Sequence, residues 1–503
     1  MNNVGLVRGA STRVNILLSL ALVVLSISSC SGQSRLMSLK PGDPAAATPP
    51  VASSGIGGVQ ASYADLVQRV APAVVTIRST ERVRAAQQYP FMDDPMFRQF
   101  FGDRMPQQQQ TPQRVQGVGS GVIVNADGYI LTNHHVVDGA VDVKVELTDN
   151  RTFTAKVVGS DPASDLAVLK IDAKDLPTLT LGDSDKVRVG DPVLAVGNPL
   201  GIGQTVTSGI ISAKGRQTGI SDGSFEDFLQ TDAAINRGNS GGALVNTSGE
   251  LIGINSQILS PSGGNIGIGF AIPANMAKAV MEQLMKSGKV HRGMLGVTIQ
   301  SIDSDLAASL NMPAARGAIV TSVAPGGPAE KAGIKRGDVI TSINNQPTTD
   351  NNVLRNQVAS LAPGATATVG VLRNGREQNV QVTLAELPDQ KQPESEDTDS
   401  GAATGNTGTE RYGLTLQPLT SDTASRYGLD ATDQGLLVTR VDPSSNAADA
   451  GIRQGDLIQE VNRQPVKTFV EFGNAIRQSG SRPALVLLKR RNAVIYVTLK
   501  AGS

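Results

Sequence analysis

The sequence predicts a mostly β protein of several domains, one large unit of short strands followed by a duplicated smaller module. Three observations predict it. Short apolar runs recur between residues 117 and 275, separated by Gly, Asn and Asp turns, a spacing that favours a barrel or a sandwich. Glycine is abundant (54 residues), aromatic residues make up 3% and tryptophan is absent, which suits Val- and Ile-rich strands joined by tight turns. A 27-residue stretch occurs twice, and 503 residues are too many for one core.

In chain order, Arg8 and Arg13 precede an apolar run from 14 to 27 that is short for a bilayer span, so residues 1–30 read as an export signal. It ends in Ile27-Ser28-Ser29-Cys30, which resembles a bacterial lipobox, and Cys30 is the only cysteine. Lipid attachment there would give a membrane tether. The alternative is an ordinary cleaved signal with an incidental cysteine. One cysteine allows no internal disulfide, so stability must come from packing. Residues 31–60, rich in Ser, Gly, Pro and Ala, read as a flexible tether. An amphipathic turn with Leu66, Val67 and Val70 leads into a strand at 74–77. Residues 84–114 break the pattern and carry Phe91, Met92, Met96, Phe97, Phe100 and Phe101. Six large apolar residues in a loop need a partner surface, an oligomer contact or the site itself, unless they form a small satellite core. Strands are expected at 121–124, 129–132, 143–147, 167–171, 193–196, 209–212, 243–246 and 251–254. A helix is expected at 274–285, ending near Gly288.

The repeat matches residues 322–348 to 440–466 at an offset of 118, with twelve of 27 positions identical. Ala332-Gly333-Ile334 recurs as Ala450-Gly451-Ile452, and Gly337-Asp338 as Gly455-Asp456. Each copy follows an apolar-Gly-apolar stretch, Leu295-Gly296-Val297 and Tyr412-Gly413-Leu414. Residues 387–410, acidic and Gly/Thr-rich, read as a linker. Lys+Arg and Asp+Glu balance at 45 each, which argues against a nucleic-acid partner.

The chemistry centres on Ser240 in Gly238-Asn239-Ser240-Gly241-Gly242. Glycines around a serine let backbone N–H groups turn inward and let a substrate carbonyl approach. A serine needs a base, and the base an orienting acid. The chain has three histidines, His134, His135 and His291. The first two follow a strand, and Asp165 lies between them and Ser240. That order, His, Asp, Ser, is the chymotrypsin-like one. The α/β-hydrolase elbow also reads Gly-x-Ser-x-Gly, but its histidine follows the serine. Only His291 qualifies, and it lies outside the β-rich unit without βαβ alternation around Ser240. A metal site from His134, His135 and Asp138 is disfavoured, because adjacent histidines on an extended segment face opposite ways. The residues imply neither metal nor cofactor. The bland readings are a partly exposed side chain for His134, a linker surface residue for His291 and a turn cap for Asp165.

Together, Thr132-Asn133-His134-His135-Val136-Val137, Ser164-Asp165-Leu166-Ala167, residues 230–244 and residues 264–270 resemble the HtrA/DegP family of exported serine proteases. The resemblance runs from about residue 63 to the C-terminus. It implies a chymotrypsin-like double β-barrel protease domain at 61–287 and PDZ domains at 291–386 and 411–503. Thr-Asn-x-His-Val picks His135 over His134 as the base, a choice the spacing leaves open. His135, Asp165 and Ser240 are then the triad, with Gly238, Asn239 and Ser240 forming the oxyanion hole. Ala234, Ile235 and Asn236 would line the primary pocket, which lacks a carboxylate, so cleavage after Lys or Arg is not expected. Ser256, Gln257, Ile258, Leu259 and Ser260 would form the opposite wall, leaving room for Val or Ala. Leu295-Gly296-Val297 and Tyr412-Gly413-Leu414 would cradle a peptide carboxylate, with Arg292 either assisting by its charge or standing as an ordinary exposed linker arginine. Arg216 resembles the family's sensor arginine. The resemblance also implies a periplasmic endopeptidase of a Gram-negative bacterium that degrades unfolded or mislocalised proteins and binds peptide C-termini. It implies a homotrimer or larger assembly, with the 84–114 loop contributing to regulation or assembly, and chaperone activity beside proteolysis. A protease-silent holding chaperone or PDZ scaffold is the alternative. Whether the resting oxyanion loop is formed stays open at this level.

Overall fold

The computed structural model describes residues 62–83, 113–198, 203–219, 224–260, 264–388, 412–430, 432–480 and 482–500. The signal, Cys30, the 31–60 tether, the apolar residues of the 84–114 loop and most of the acidic linker lie outside the described residues.

The first seven strands pair into one antiparallel sheet. They are β1 (Val74–Val83), β2 (Gln113–Ile123), β3 (Tyr129–Thr132), β4 (Ala140–Glu146), β5 (Thr152–Thr154), β6 (Lys156–Asp161) and β7 (Leu166–Lys170), in the order β5-β4-β1-β2-β3-β7-β6. Strand β4 alternates between more and less buried positions, whereas β3 and β7 are buried almost throughout. The next six close a barrel in the order β10-β13-β12-β11-β8-β9. They are β8 (Pro192–Gly197), β9 (Thr205–Arg216), β10 (Phe228–Thr231), β11 (Ala243–Asn246), β12 (Leu251–Ile258) and β13 (Gly269–Pro273). Several strands read as unbroken apolar runs because both of their faces are buried. In β8, Val193 and Ala195 fill the second barrel, whereas Leu194 and Val196 face the core shared by both sheets. That shared core also takes Val122, Leu131 and Leu166 of the first sheet and Ile254, Phe270 and Ile272 of the second. Helix α1 (Ala64–Val70) and the helix Ala274–Ser287 cover it through Leu66, Val70, Ala277, Val280 and Leu284. Gly288, at φ 74°, ends the second helix by donating its N–H to the Leu284 carbonyl.

One local expectation is corrected. The His134-His135 pair begins a helical turn, α2 (His134–Val137), instead of continuing an extended strand. Successive helical residues project about 100° apart, so the two imidazoles still diverge.

Among the described residues, each repeat folds as a six-stranded antiparallel sheet, five strands in line and a short sixth beside the third, with three helices of which the last is the longest. Strand Val297–Ser301 is the edge of the first sheet and Leu414–Pro418 the edge of the second. The shared Gly-Asp pairs are structural. Gly337 and Gly455 turn at φ 84° and 90°, and Asp338 and Asp456 are buried against Arg373 and Arg490 from strands Thr366–Arg373 and Ala484–Arg490. The second module also packs on the first. Leu485, Leu487 and Tyr496 join Ile302, Leu306, Ile319 and Val339 in one buried cluster. The Gln300 side chain donates to the Tyr496 carbonyl and accepts from its N–H, at 2.8 and 2.9 Å.

Candidate active site

The rim between the two sheets brings His135, Asp165 and Ser240 together. Asn133 ends β3 and heads α2, which carries His135. Asp165 follows the 3-10 turn Pro162–Ser164 and sits at φ 54°, ψ 42°. An aspartate tolerates this left-handed conformation better than most residues. It aims the carboxylate at the imidazole. The His135 Nδ1 lies 2.9 Å from both carboxylate oxygens, and the His135 N–H donates to Oδ1 at 3.1 Å. Ser256 Oγ donates to Oδ2 at 2.8 Å, and the Asn133 amide donates to the Asp165 carbonyl at 2.9 Å. The cap of the 3-10 turn is Asp161, which accepts the Ser164 N–H. His134 lies apart, with Nε2 3.6 Å from Asp138.

Ser240 sits on the loop between β10 and β11. Its hydroxyl donates to the Ser256 carbonyl at 2.9 Å, so in this state it is not bonded to His135. Gly238 adopts φ 95°. The N–H groups of Gly238 and Ser240 have no partner among the described residues. Asn239 is buried, and a Cβ on Gly197 would stand 2.7 Å from its Oδ1. Glycine at 197 is therefore a packing requirement of this loop. Sequence reasoning did not single out Ser120, Asn133 or Asn198. For Ser120 and Asn133 the signal is a polar residue at a fully buried position; Asn198 is half-buried and carries no such signal. The sequence places Ser256 in the pocket wall, and its hydrogen bond to Asp165 comes only with the fold.

Ile235 closes into the core of the second barrel and Ile258 packs against that cluster, whereas Leu259 is 48% exposed. Two of the three apolar residues expected at the pocket thus meet. The Ala234 carbonyl accepts from Thr207 Oγ1, and the Asn236 side chain accepts from the Asn265 N–H at 3.1 Å. Gln257 donates to Thr218 in the loop after β9, and Ser260 is half-buried at the end of the wall. Arg216 ends β9 with its side chain exposed.

Arg292 is corrected most clearly. It does not attend a peptide cradle; its guanidinium holds Asp161 through two hydrogen bonds, at 2.9 and 2.5 Å, with the two side chains 10% and 9% exposed. It also lies 4.5 Å over the ring of Phe225, and Arg355 lies 4.7 Å from the same ring. The Phe225 N–H donates to Ala163 inside the 3-10 turn at 2.6 Å. Asn352 and Asn356, on the helix Asn351–Ala359 of the first repeat, both donate to the Glu226 carbonyl at 2.8 Å. The turn bearing Asp165 is therefore braced by the first repeat. In the repeats, Leu295 and Leu414 bury their side chains in the cores, Tyr412 packs against the second, and Gly296 and Gly413 adopt φ 75° and 70°. Val297 then starts the edge strand of the first module.

Residues 119–254 match the trypsin-like peptidase domain model, and residues 293–384 and 437–490 match PDZ domain models. A probable periplasmic serine endoprotease DegP-like of Chlamydia trachomatis serovar D is 43% identical over 429 residues, covering 84% of this chain and 83% of its own. One of the same description from Brucella suis biovar 1 is 43% identical over 473 residues, 88% of this chain and 90% of its own. Among solved structures, the HtrA-type protease AlgW with decapeptide is 49% identical and covers 65% of this chain and 100% of its own, with a TM-score of 0.53. AlgW with tripeptide is 45% identical, covering 65% and 98%, with a TM-score of 0.54. The chain belongs to the HtrA/DegP family of periplasmic serine endoproteases, built as a trypsin-like protease domain followed by two PDZ domains.

Proposed function

We propose that His135, Asp165 and Ser240 cleave peptide bonds by acyl transfer, and that the PDZ domains supply the site with chain ends of unfolded or damaged proteins. One observation carries the catalytic part. The Asp165 carboxylate is fixed on His135 Nδ1 at 2.9 Å, while the N–H groups of Gly238 and Ser240 have no partner among the described residues.

With Nδ1 on the carboxylate, the imidazole offers Nε2 to the serine. Ser240 Oγ first turns from the Ser256 carbonyl to Nε2, giving up one neutral hydrogen bond, about 1 kcal/mol. Oγ then bonds to the scissile carbonyl carbon while Nε2 takes its proton. The carbonyl oxygen, now negative, accepts from the Gly238 and Ser240 N–H groups, and Asp165 stabilises the imidazolium. Nε2 passes the proton to the amide nitrogen as the C–N bond breaks, releasing the amine and leaving an ester on Ser240. Water, giving its proton to Nε2, attacks the ester carbonyl. Ser240 leaves with that proton, and the acid product departs.

Ile235 and Ile258 would bound a pocket for a small aliphatic side chain, so cleavage after Val should exceed cleavage after Arg. The edge strands Val297–Ser301 and Leu414–Pro418 offer unpaired backbone to an added peptide strand, in keeping with the peptides named in the AlgW structures. Trimer formation, the sensor role of Arg216 and acylation of Cys30 rest on the sequence, and intact-mass measurement reads the last. Casein digestion by wild type and Ser240→Ala tests the catalytic reading. Loss of digestion in the variant alone is expected. Two equally inert proteins that both suppress aggregation would instead favour a holding chaperone.

A further inference from the structure

We propose that Ser120 is a positioning residue that latches the oxyanion loop, an inference that rests on Ser240 being the nucleophile. Ser120 lies on β2 of the first sheet between Gly119 and Gly121, whereas Ser240 lies on a loop of the second barrel, and the relative exposure of Ser120 is 0%. Its main-chain N–H donates to the Ser240 carbonyl at 2.8 Å, and its hydroxyl donates to the Gly238 carbonyl at 2.6 Å. One residue thus holds two peptide planes, those that follow Gly238 and Ser240. The plane between them carries the Ser240 N–H. With both neighbours pinned, Gly238 at φ 95° and the Asn239 carbonyl of that plane accepting the Gly242 N–H at 2.9 Å, the direction of the Ser240 N–H is fixed.

The direction of the latch is set by chemistry. The Asn198 N–H, which can only donate, reaches Ser120 Oγ at 2.9 Å. The hydroxyl proton is therefore sent to Gly238. Asn198 is itself fixed by its side-chain amide, which donates to Thr76 Oγ1 at 2.6 Å on β1. Thr132 Oγ1 donates to the Ser120 carbonyl at 2.7 Å. A Cβ on Gly241 would fall 2.1 Å from that carbonyl oxygen and 2.3 Å from Thr132 Oγ1, so the loop closes onto Ser120 only with glycine there. The polar chain Thr76, Asn198, Ser120 connects the first sheet to the loop that binds the developing oxyanion. None of its members belongs to the proposed triad or pocket wall.

The latch predicts a selective defect. In Ser120→Ala the Gly238 carbonyl loses its partner and the loop populates turned-away states. A competent fraction of roughly one in ten to one in a hundred lowers kcat by the same factor. The test compares wild type with Ser120→Ala and with Ser120→Cys, whose thiol is a weak donor. It reads kcat and KM on a Val-containing peptide, Ki for a peptide boronate that forms a tetrahedral adduct, and thermal melting. The expected result is a kcat about ten- to a hundredfold lower, boronate binding weakened in parallel and KM within about twofold, with a single cooperative melt lowered by some degrees because the Gly238 carbonyl and the Asn198 N–H lose their partner. Ser120→Cys should fall between, and it is read alone if Ser120→Ala does not fold. A kcat and boronate affinity within about twofold of wild type in the folded variant overturns the latch. So does a defect confined to KM. Mass spectrometry of wild type after fluorophosphonate treatment separates the two failures, because absence of label on Ser240 sinks the nucleophile assignment itself.

Discussion

Asp165 accepts four hydrogen bonds: from the His135 ring, the His135 N–H and Ser256 Oγ at its carboxylate, and from Asn133 at its carbonyl. The charge that steadies an imidazolium in the proposed mechanism is thus itself steadied. Removing Ser256 Oγ takes one donor from an ionised acceptor, a loss of about 1.5 kcal/mol. Ser256→Ala is therefore expected to lower kcat about tenfold with little change in KM, while the carbonyl that parks Ser240 remains. Stopped-time peptide assays read both constants, and equal kcat values would remove Ser256 from the account. At this scale the proposed triad is legible as a candidate, because His135, Asp165 and Ser240 each sit in a dense local motif. Ser120 and Asn133 are not, since their partners lie 118 and 32 positions away. What could have marked Ser120 is a hydroxyl at a strand position that faces the core.

The 3-10 turn Pro162–Ser164 and the segment entering β10 form one brace. Arg292 grips Asp161, Phe225 bonds to Ala163, and the PDZ helix Asn351–Ala359 holds Glu226. Beside them Asp227 is desolvated, and burial raises its carboxyl above the usual range, with Asp185 adding to the rise, Lys214 opposing it and Asp350 adding further. A raised folded pKa means that the folded state binds the proton more tightly than the unfolded chain does. This contribution is intact below the ordinary carboxylate pKa and is lost as pH rises through the folded value. Asp227→Asn should therefore raise the melting temperature at pH 7, and the gain should vanish near pH 3.5, where the wild-type carboxyl is largely protonated. Scanning calorimetry at the two pH values reads this, and a gain that persists in acid would contradict the assigned cause. The brace was opaque in the sequence. Arg292 looked like a linker arginine because its partner, Asp161, belongs to another domain.

Across the molecule, the PDZ domains are docked on one another. The difference between the repeats explains it. Strand Thr366–Arg373 alternates, with Ala367, Val369 and Val371 inward, whereas Ala484–Leu488 is apolar on both faces. Leu485 and Leu487 need a second core, and Ile319 and Val339 provide it. The unbroken run 484–488 was visible in the sequence, but its meaning depended on which surface would cover it. Leu487→Asp puts an unpaired carboxylate into that core and should release the second PDZ domain. Hydrogen exchange would then show the Tyr496 amide, held by Gln300 in the docked state, losing its protection. Retained protection would mean the tandem is held by other contacts. The duplicated modules and the β-rich protease unit were both apparent before any coordinates, because glycine-anchored repeats and short strands leave local signals. The bracing between domains was not.

The central claim is that His135, and not its neighbour His134, activates Ser240. The most direct measurement is the rate and site of fluorophosphonate labelling in wild type, His135→Ala and His134→Ala, read by peptide mass spectrometry. The account predicts a single label on Ser240, lost by at least about a hundredfold in rate in His135→Ala and kept in His134→Ala. Label retained in His135→Ala but lost in His134→Ala, or found on another serine, would contradict it.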